Sequence, residues 1–480
     1  MRNLGIGAVS YEALNWRETF DIEAFAKAPH AISEGPSDRY DLATALRIVR
    51  RMETSATRGA VFAEIKRKNR LYRLADALYA KAGSTMLQPL ILFAYMLKCV
   101  LALGPFDTSH DAEAVTVSSF PNERHSIDRL VALVPGVRFL RLSLHRNHLI
   151  GRGQLHAAYG LLSTASRIWP FLARLARSHG FMPSARIASA LAYYIRFVQL
   201  FAECPALAGA VVASNYSPEA VGLAAAAHRT GRPIVYINHA PVPANGALVP
   251  PVLADCAIFY GDAVRQTYER RSRCTANVAL IGQPWTARPM QWRDEALTIG
   301  IFLTALTRAD VVSDLVAAIR ASHPEMQILI RNHPVALLRT DFSELAANDA
   351  QIKITLGTPL DDDIVACDLI FCGNSGVAMN VLSGGRPVAY IDTLDGLNFD
   401  YNGFVESGLV CHVAGWTDDL YAELKRFYFK PRWQSVMRSY DASYGADPAE
   451  LEARAAETVR RYLSPTPAPD STAFPARLRA

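Results

Sequence analysis

Two short segments of this chain bring together residue types suited to holding a phosphate. Arg331-Asn332-His333-Pro334 supplies a permanent cation and an imidazole. Gly373-Asn374-Ser375-Gly376 supplies a hydroxyl framed by glycines, which let an anion come close to the backbone. Each follows a run of strand-like apolar residues, QILI before the first and LIFC before the second. A loop that opens a helix in this way turns unpaired N–H groups and the positive helix end outward, so GNSG reads as an anion site. His333, at the end of a neighbouring strand, can donate to the same phosphate. Together these groups could stabilise a departing nucleotide phosphate without a metal. Alone, Pro334 can simply end a strand and Asn374-Ser375 can simply cap a helix. Their order on an alternating strand–helix pattern favours the phosphate reading.

A second candidate site lies in the first half, in SNYSPEAVGLAAAAHRTGRPIVYINHAP at 214–241. His239 stops a strand and could act as general base or hold a phosphate; a plain loop histidine is the alternative. Asn215 and Glu219 belong to the adjacent strand end, Asn215 on the acceptor side and Glu219 as a second candidate base or as first-turn helix charge. Thr304 follows the strand Thr298–Leu303 and Asp392 follows Val388–Ile391. Both join Arg331, His333, Pro334, Gly373, Asn374, Ser375 and Gly376 as candidate donor contacts. The run Asp361-Asp362-Asp363 invites a metal, but three consecutive carboxylates on a helix cannot face one ion, and first-turn capping explains them. No metal site is expected. His125, His145 and His148, with Arg146 nearby, could face an acceptor or solvent. Gly5-Ile6-Gly7 is too short for a phosphate loop, and no Walker, GxSxG or HExxH motif is present.

The elements that must carry these residues follow from periodicity. Strands and helices alternate over 111–290 and again over 291–463, with a Pro- and Gly-containing linker near 283–297. Two doubly wound parallel-sheet domains are expected, with ligands bound beyond the carboxyl ends of their strands. Residues 1–110 read as a helical N-terminal region, and 152–203 as two or three helices with Pro170 and Pro183 at breaks or kinks. The Pro- and Ser-containing segment 464–480 reads as a disordered tail.

The quoted segments carry a resemblance that covers about 205–415. The second half resembles the nucleotide-sugar domain of GT-B glycosyltransferases. More narrowly, it resembles bacterial surface-polysaccharide enzymes: capsule Kdo transferases, bacterial sialyl- and polysialyltransferases, and CDP-glycerol glycerophosphotransferases. These families carry an HP dipeptide and then a Ser/Thr-containing helix start, both contacting the CMP or CDP part of the donor. His333-Pro334 and Ser375 match those positions. Several relatives have two adjacent hydroxyl residues where this chain has Ser375-Gly376. The first half is similar in its strand–Asn–helix–Gly–strand–His order, with Asn238-His239-Ala240 at the place of a Gln-His-Gly-like turn. The resemblance implies a GT-B fold of two Rossmann-like domains facing a cleft. It implies transfer from a nucleotide-activated sugar, CMP-linked on the narrower match, to a glycan or lipid-linked acceptor of the bacterial envelope, with no resident cofactor. The rival readings are a CDP-glycerol-type phosphotransferase, a nucleotide-sugar 2-epimerase, and a non-catalytic sugar- or assembly-binding protein.

Composition bounds the rest. With 50 basic against 45 acidic residues, the net charge of +5 is small for 480 residues, so nucleic acid is not an expected partner. Seven dispersed cysteines without a CxxC pair fit reduced thiols in a cytoplasmic protein. The opening residues MRNLGIGAVSYEALNWRETFD lack an apolar core, so no secretory signal is expected. Residues Ser84–Gly104 approach the length of a membrane span but contain Gln88, Pro89 and Lys98. Ten basic and three acidic residues lie between Arg47 and Lys81. The stretch 47–104 can be a core helix preceded by a solvated basic one, a peripheral contact with an anionic inner-membrane surface, or, least favoured, a true membrane span.

Overall fold

A computed structural model describes residues 39–82, 86–104, 111–144, 152–285, 287–294, 296–334 and 339–463. The tail at 464–480, Gly5-Ile6-Gly7, His145, Arg146 and His148 lie outside the described residues. Among the described residues four helices come first: α1 (Leu42–Glu53), α2 (Ala56–Lys68), α3 (Arg70–Lys81) and α4 (Leu87–Ala102). Seven strands then build one sheet: β1 (Leu103–Gly104), β2 (Ala114–Ser118), β3 (Phe139–Leu144), β4 (Gly209–Val212), β5 (Ile234–Ile237), β6 (Cys256–Phe259) and β7 (Asn277–Leu280). Their order is β1-β3-β2-β4-β5-β6-β7, parallel except for β1. Between these strands run α5 (Pro121–Leu133), α6 (Arg152–Ser163), α7 (Ala165–Ser178), α8 (Phe181–Glu203), α9 (Pro218–Arg229) and α10 (Asp262–Arg271).

The second sheet holds β8 (Thr298–Phe302), β9 (Gln327–Arg331), β10 (Ile352–Thr355), β11 (Leu369–Cys372), β12 (Val388–Tyr390) and β13 (Cys411–His412). Its order is β10-β9-β8-β11-β12-β13, parallel throughout. Its helices are α11 (Ala309–Ser322), α12 (Ser343–Asn348), α13 (Leu360–Ala366), α14 (Val377–Ser383), α15 (Leu420–Tyr428) and α16 (Pro431–Tyr440), before α17 (Pro448–Leu463) closes the described chain. This is the GT-B architecture of two Rossmann-like sheets. β4, β5, β6 and β11 are buried at every residue because helices cover both sheet faces, which is why they read as unbroken apolar runs.

Three features depart from the sequence expectations. Helices α1 and α4 share one core with α8, α9 and the first sheet through Leu46, Val49, Leu92, Met96 and Val100. The N-terminal helices are therefore built into the first domain. Helix α17 crosses back from the second domain and buries Ala455, Ala456, Val459 and Leu463 against the first sheet. Pro170 lies inside α7, where no break occurs, whereas Pro183 stands in the first turn of α8, just after the break between α7 and α8. A first-turn proline removes an N–H that has no partner inside the helix, so the turn tolerates it.

Candidate functional site

Strand register aligns the candidate residues. Arg331, Phe302, Cys372 and Tyr390 pair side by side across β9, β8, β11 and β12. The residues that follow them, Asn332, Leu303, Gly373 and Ile391, form one rim at the carboxyl ends. The order in which strands are added reverses between β8 and β11, since β8 pairs with β9 on its other side while every strand stays parallel. Such a reversal splays the outgoing loops apart and leaves a crevice for a ligand. Thr304 stands on one side of it and Gly373–Gly376 on the other. The first sheet reverses between β2 and β4, flanked by Ser119 and Ser214.

The two rims meet. Asn245, in the loop after β5, donates from its backbone to the Tyr401 carbonyl (3.1 Å) and from Nδ2 to the Asp400 carbonyl (2.9 Å). A Cβ on Gly376 would lie 2.9 Å from the Pro241 ring, so glycine permits the close approach of GNSG to the loop that carries His239. On the far side, Lys68 of α2 donates to the Arg339 carbonyl (2.8 Å). Arg339 in turn donates from Nε to the His333 carbonyl (3.2 Å) and from its terminal nitrogen to the Pro334 carbonyl (3.1 Å). At the hinge, fully buried Asp441 accepts from the Gln283 N–H (3.0 Å) and the Ser443 N–H (2.9 Å), tying the linker to the end of α16.

His239 is half-buried, with Nδ1 hydrogen-bonded to the Ala213 carbonyl. A carbonyl only accepts, so Nδ1 carries the proton and Nε2 keeps its lone pair. Burial pushes the imidazolium down to about 4, against a weaker opposing effect of that carbonyl, so the ring is neutral at physiological pH. His333 is half-buried, and its N–H donates to Asn332 Oδ1 (3.0 Å). Pro334 is exposed. Thr304 sits in a tight turn, where its N–H donates to Thr307 Oγ1 (2.9 Å) and its Oγ1 accepts from Leu306 (3.2 Å).

Several assignments made from sequence need correction. The GNSG loop is not an open cradle of N–H groups. Asn374 N–H donates to Asp395 Oδ2 (2.7 Å), Ser375 N–H to the Gly373 carbonyl (2.8 Å) and Val377 N–H to Ser375 Oγ (3.3 Å). Gly376 N–H makes no hydrogen bond among the described residues. With α14 only seven residues long, the anion-facing groups reduce to that N–H and the Ser375 hydroxyl. The Asn374 side chain is a brace, accepting from Tyr390 Oη (2.8 Å) and Tyr401 N–H (2.7 Å) and donating to the Phe399 carbonyl (2.7 Å). Arg331 forms an ion pair with buried Asp363 and donates to the Thr358 carbonyl (3.0 Å), so its guanidinium anchors the first turn of α13 instead of facing a donor. Asn215 is buried and donates to the Pro250 carbonyl (2.7 Å), which commits its amide to the loop before β6.

Glu219 is also misplaced for a base that must reach an acceptor. It is 1% exposed, and Oε1 accepts from Ser119 Oγ. Ser119 thus stands between this carboxylate and the rim. Glu123 lies close by, accepting from Ser119 N–H (2.8 Å) and Phe120 N–H (3.2 Å); burial and then the Glu219 charge push it up to about 7. Asp392 is partly exposed, with His412 Nε2 at 3.7 Å. His125 is exposed on α5.

Sequence reasoning missed Asp395, which organises GNSG from beneath, and the 240–246 loop that seats on it. Nothing in TLDGLNF distinguishes a buried loop carboxylate from a turn aspartate. Arg58 was missed as well. It reaches the first-domain rim from α2, 3.4 Å from Glu53 Oε2 and 6.0 Å from the Tyr216 ring centre. Among the described residues, no group of three or more His, Cys, Asp and Glu could hold a metal ion.

No protein-family model and no curated protein matches the chain. Among solved structures, it is similar to UDP-GlcNAc 2-epimerase from Neisseria meningitidis bound to UDP-GlcNAc, with 10% identity and a TM-score of 0.46 over 73% of this chain and 99% of that one. It is also similar to CalG4, the calicheamicin glycosyltransferase, with 12% identity and a TM-score of 0.45 over 75% of this chain and 100% of that one. A third is the lipopolysaccharide outer core galactosyltransferase WaaB in its apo form, with 13% identity and a TM-score of 0.41 over 71% and 98%.

Proposed function

We propose that this chain transfers a sugar from a nucleotide-activated donor to an acceptor hydroxyl at the seam between its two sheets. The observation that carries the reading is the meeting of both carboxyl-end rims, with neutral His239 on one and Ser375 at the strand-order reversal of the other. The donor's nucleotide lies on the second domain and its phosphate faces Ser375 Oγ, Gly376 N–H and His333. The acceptor hydroxyl attacks the anomeric carbon, and the bond from that carbon to the phosphate oxygen breaks. The proton passes to His239 Nε2, while the departing charge is met by the hydroxyl, the N–H and the His333 imidazole. An imidazole held down at about 4 is by itself a weak base. A bound phosphate raises its affinity for a proton toward the working range.

The HP-then-hydroxyl order of the capsule-type enzymes supports a CMP-linked donor and an acceptor from the bacterial envelope. One of the solved structures named above is described as bound to UDP-GlcNAc, and that donor class is the alternative tested alongside. The experiment incubates the protein with CMP-, UDP- and GDP-activated sugars and with CDP-glycerol, each with and without a glycan acceptor, and analyses products by mass spectrometry. Acceptor-dependent sugar transfer supports the proposal. An isomerised donor without acceptor indicates epimerisation, transfer of glycerol phosphate indicates attack at phosphorus, and binding without any product indicates a sugar-binding protein.

A further inference from the structure

One face of the first domain carries apolar side chains that the described residues leave uncovered. Leu71 is 76% exposed, and Leu74 and Leu78 are each more than half exposed. Spaced three and four residues apart, they form a single stripe on α3. Met86, Leu87 and Leu90, at the start of α4, are each more than half exposed as well. The two helices are joined at this end, where Gln88 Nε2 donates to the Tyr79 carbonyl (2.7 Å). Their inner sides rest on α8, with Phe181 5.4 Å from Tyr79 and 6.2 Å from Tyr95 between ring centres. The six exposed side chains therefore belong to one ridge.

Cations surround the ridge. Residues 64–81 hold Lys66, Arg67, Lys68, Arg70, Arg73 and Lys81 against Glu64 and Asp76. Both carboxylates are already paired, Glu64 with Arg67 and Lys68, and Asp76 with Lys66. Arg70, Arg73 and Lys81 are exposed and make no ion pair among the described residues.

We propose that this ridge docks on an anionic lipid bilayer. An exposed stripe of leucine and methionine can enter the acyl boundary while long basic side chains meet the head groups. A protein partner would instead favour aromatic anchors in a desolvated patch, and none of the six exposed side chains is aromatic. Docking is peripheral, since among the described residues no helix is long and apolar enough to cross a membrane. Helix α2 joins the ridge to the cleft, because its Lys68 contacts Arg339, which holds the His333 loop. An acceptor held in the bilayer would thereby be brought beside the donor loop.

The test is co-sedimentation of the full chain, without nucleotide, with phosphatidylcholine vesicles and with phosphatidylcholine–phosphatidylglycerol vesicles. The wild type is expected to partition at least tenfold more onto the anionic vesicles. Leu71→Ser/Leu74→Ser/Leu78→Ser and Arg70→Glu/Arg73→Glu should each reduce that partition about tenfold, with unchanged melting midpoints, because every altered side chain is exposed. Equal partition onto neutral and anionic vesicles overturns the proposal, as does wild-type binding by both variants. A wild-type dimer that the leucine variant dissociates, with no vesicle binding, overturns it too and assigns the ridge to a second copy. Because no nucleotide is present, failure here leaves the transferase reading untouched, and failure of that reading leaves this result standing.

Discussion

His239 owes its chemistry to its surroundings more than to its residue type. In an unfolded chain it would take a proton near 6.5, and in the fold burial holds that value at about 4. Between these values the unfolded state binds the extra proton, so the stabilising contribution is complete above 6.5 and is lost as pH falls toward 4. The melting midpoint of the wild type should fall over that window, and that of His239→Asn should fall less, as thermal melts across pH would show. The same substitution should lower kcat by about 10²–10⁴-fold while leaving nucleotide affinity within threefold, since it removes a proton acceptor and no phosphate contact. Glu219 provides the contrasting case. Its charge helps hold Glu123 at about 7, above its ordinary 4.5, so the folded state keeps that proton too tightly and stability drains away as pH rises through 7. Glu219→Gln should raise the melting midpoint more at pH 8 than at pH 5 and leave transfer activity within tenfold. A hundredfold loss of activity would restore Glu219 as the base.

Among the elements, the loop after β11 shows how a motif can be right in place and wrong in detail. Residues 373–376 do stand at the strand-order reversal, yet their N–H groups mostly serve the loop itself, and Asp395 anchors it from beneath. Burial holds the Asp395 carboxyl above its ordinary range, opposed by the N–H groups of Asn374 and Leu397. Asp395→Ala should cost about 3 kcal/mol, from the loss of charge-assisted hydrogen bonds to buried partners, and should weaken nucleotide binding. Urea denaturation and calorimetric titration measure the two effects. Strand ends were legible because burial on both sheet faces writes an apolar run that stops at the rim, as LIFC does before Gly373. Side-chain direction was not legible. Arg331 has the same sequence context whether it turns to a donor or to Asp363, and only the fold of α13 decides. Short elements such as β13 and α12 were also invisible, because two to six residues carry too little periodicity.

At the scale of the whole molecule, the two domains are joined by more than their linker. Helix α17 leaves the second domain and lays Ala455, Ala456, Val459 and Leu463 on the first sheet, close enough that a Cβ on Gly209 would meet Leu463 at 2.7 Å. Leu463→Ala should cost about 2–5 kcal/mol, measured by chemical denaturation, and should loosen the first domain although the residue is remote from its strands in sequence. The sequence showed the alternation in each half but not this return, because a terminal amphipathic helix does not state which sheet it will cover. The N-terminal helices pose the same difficulty, since their apolar spacing fits either a separate module or an addition to an existing core. Their contribution of Arg58 and Lys68 to the cleft is visible only once they are folded against it.

The central claim is that a nucleotide binds on the second domain beside His333 and Ser375. Isothermal titration of CMP, CDP, UDP and GDP into the wild type, His333→Ala and Ser375→Ala tests it most directly. The account predicts saturable one-site binding of one nucleotide class, weakened at least tenfold by each substitution and unchanged in His239→Asn. Absence of binding by all four nucleotides, or equal affinity in the wild type and both second-domain variants, would contradict it.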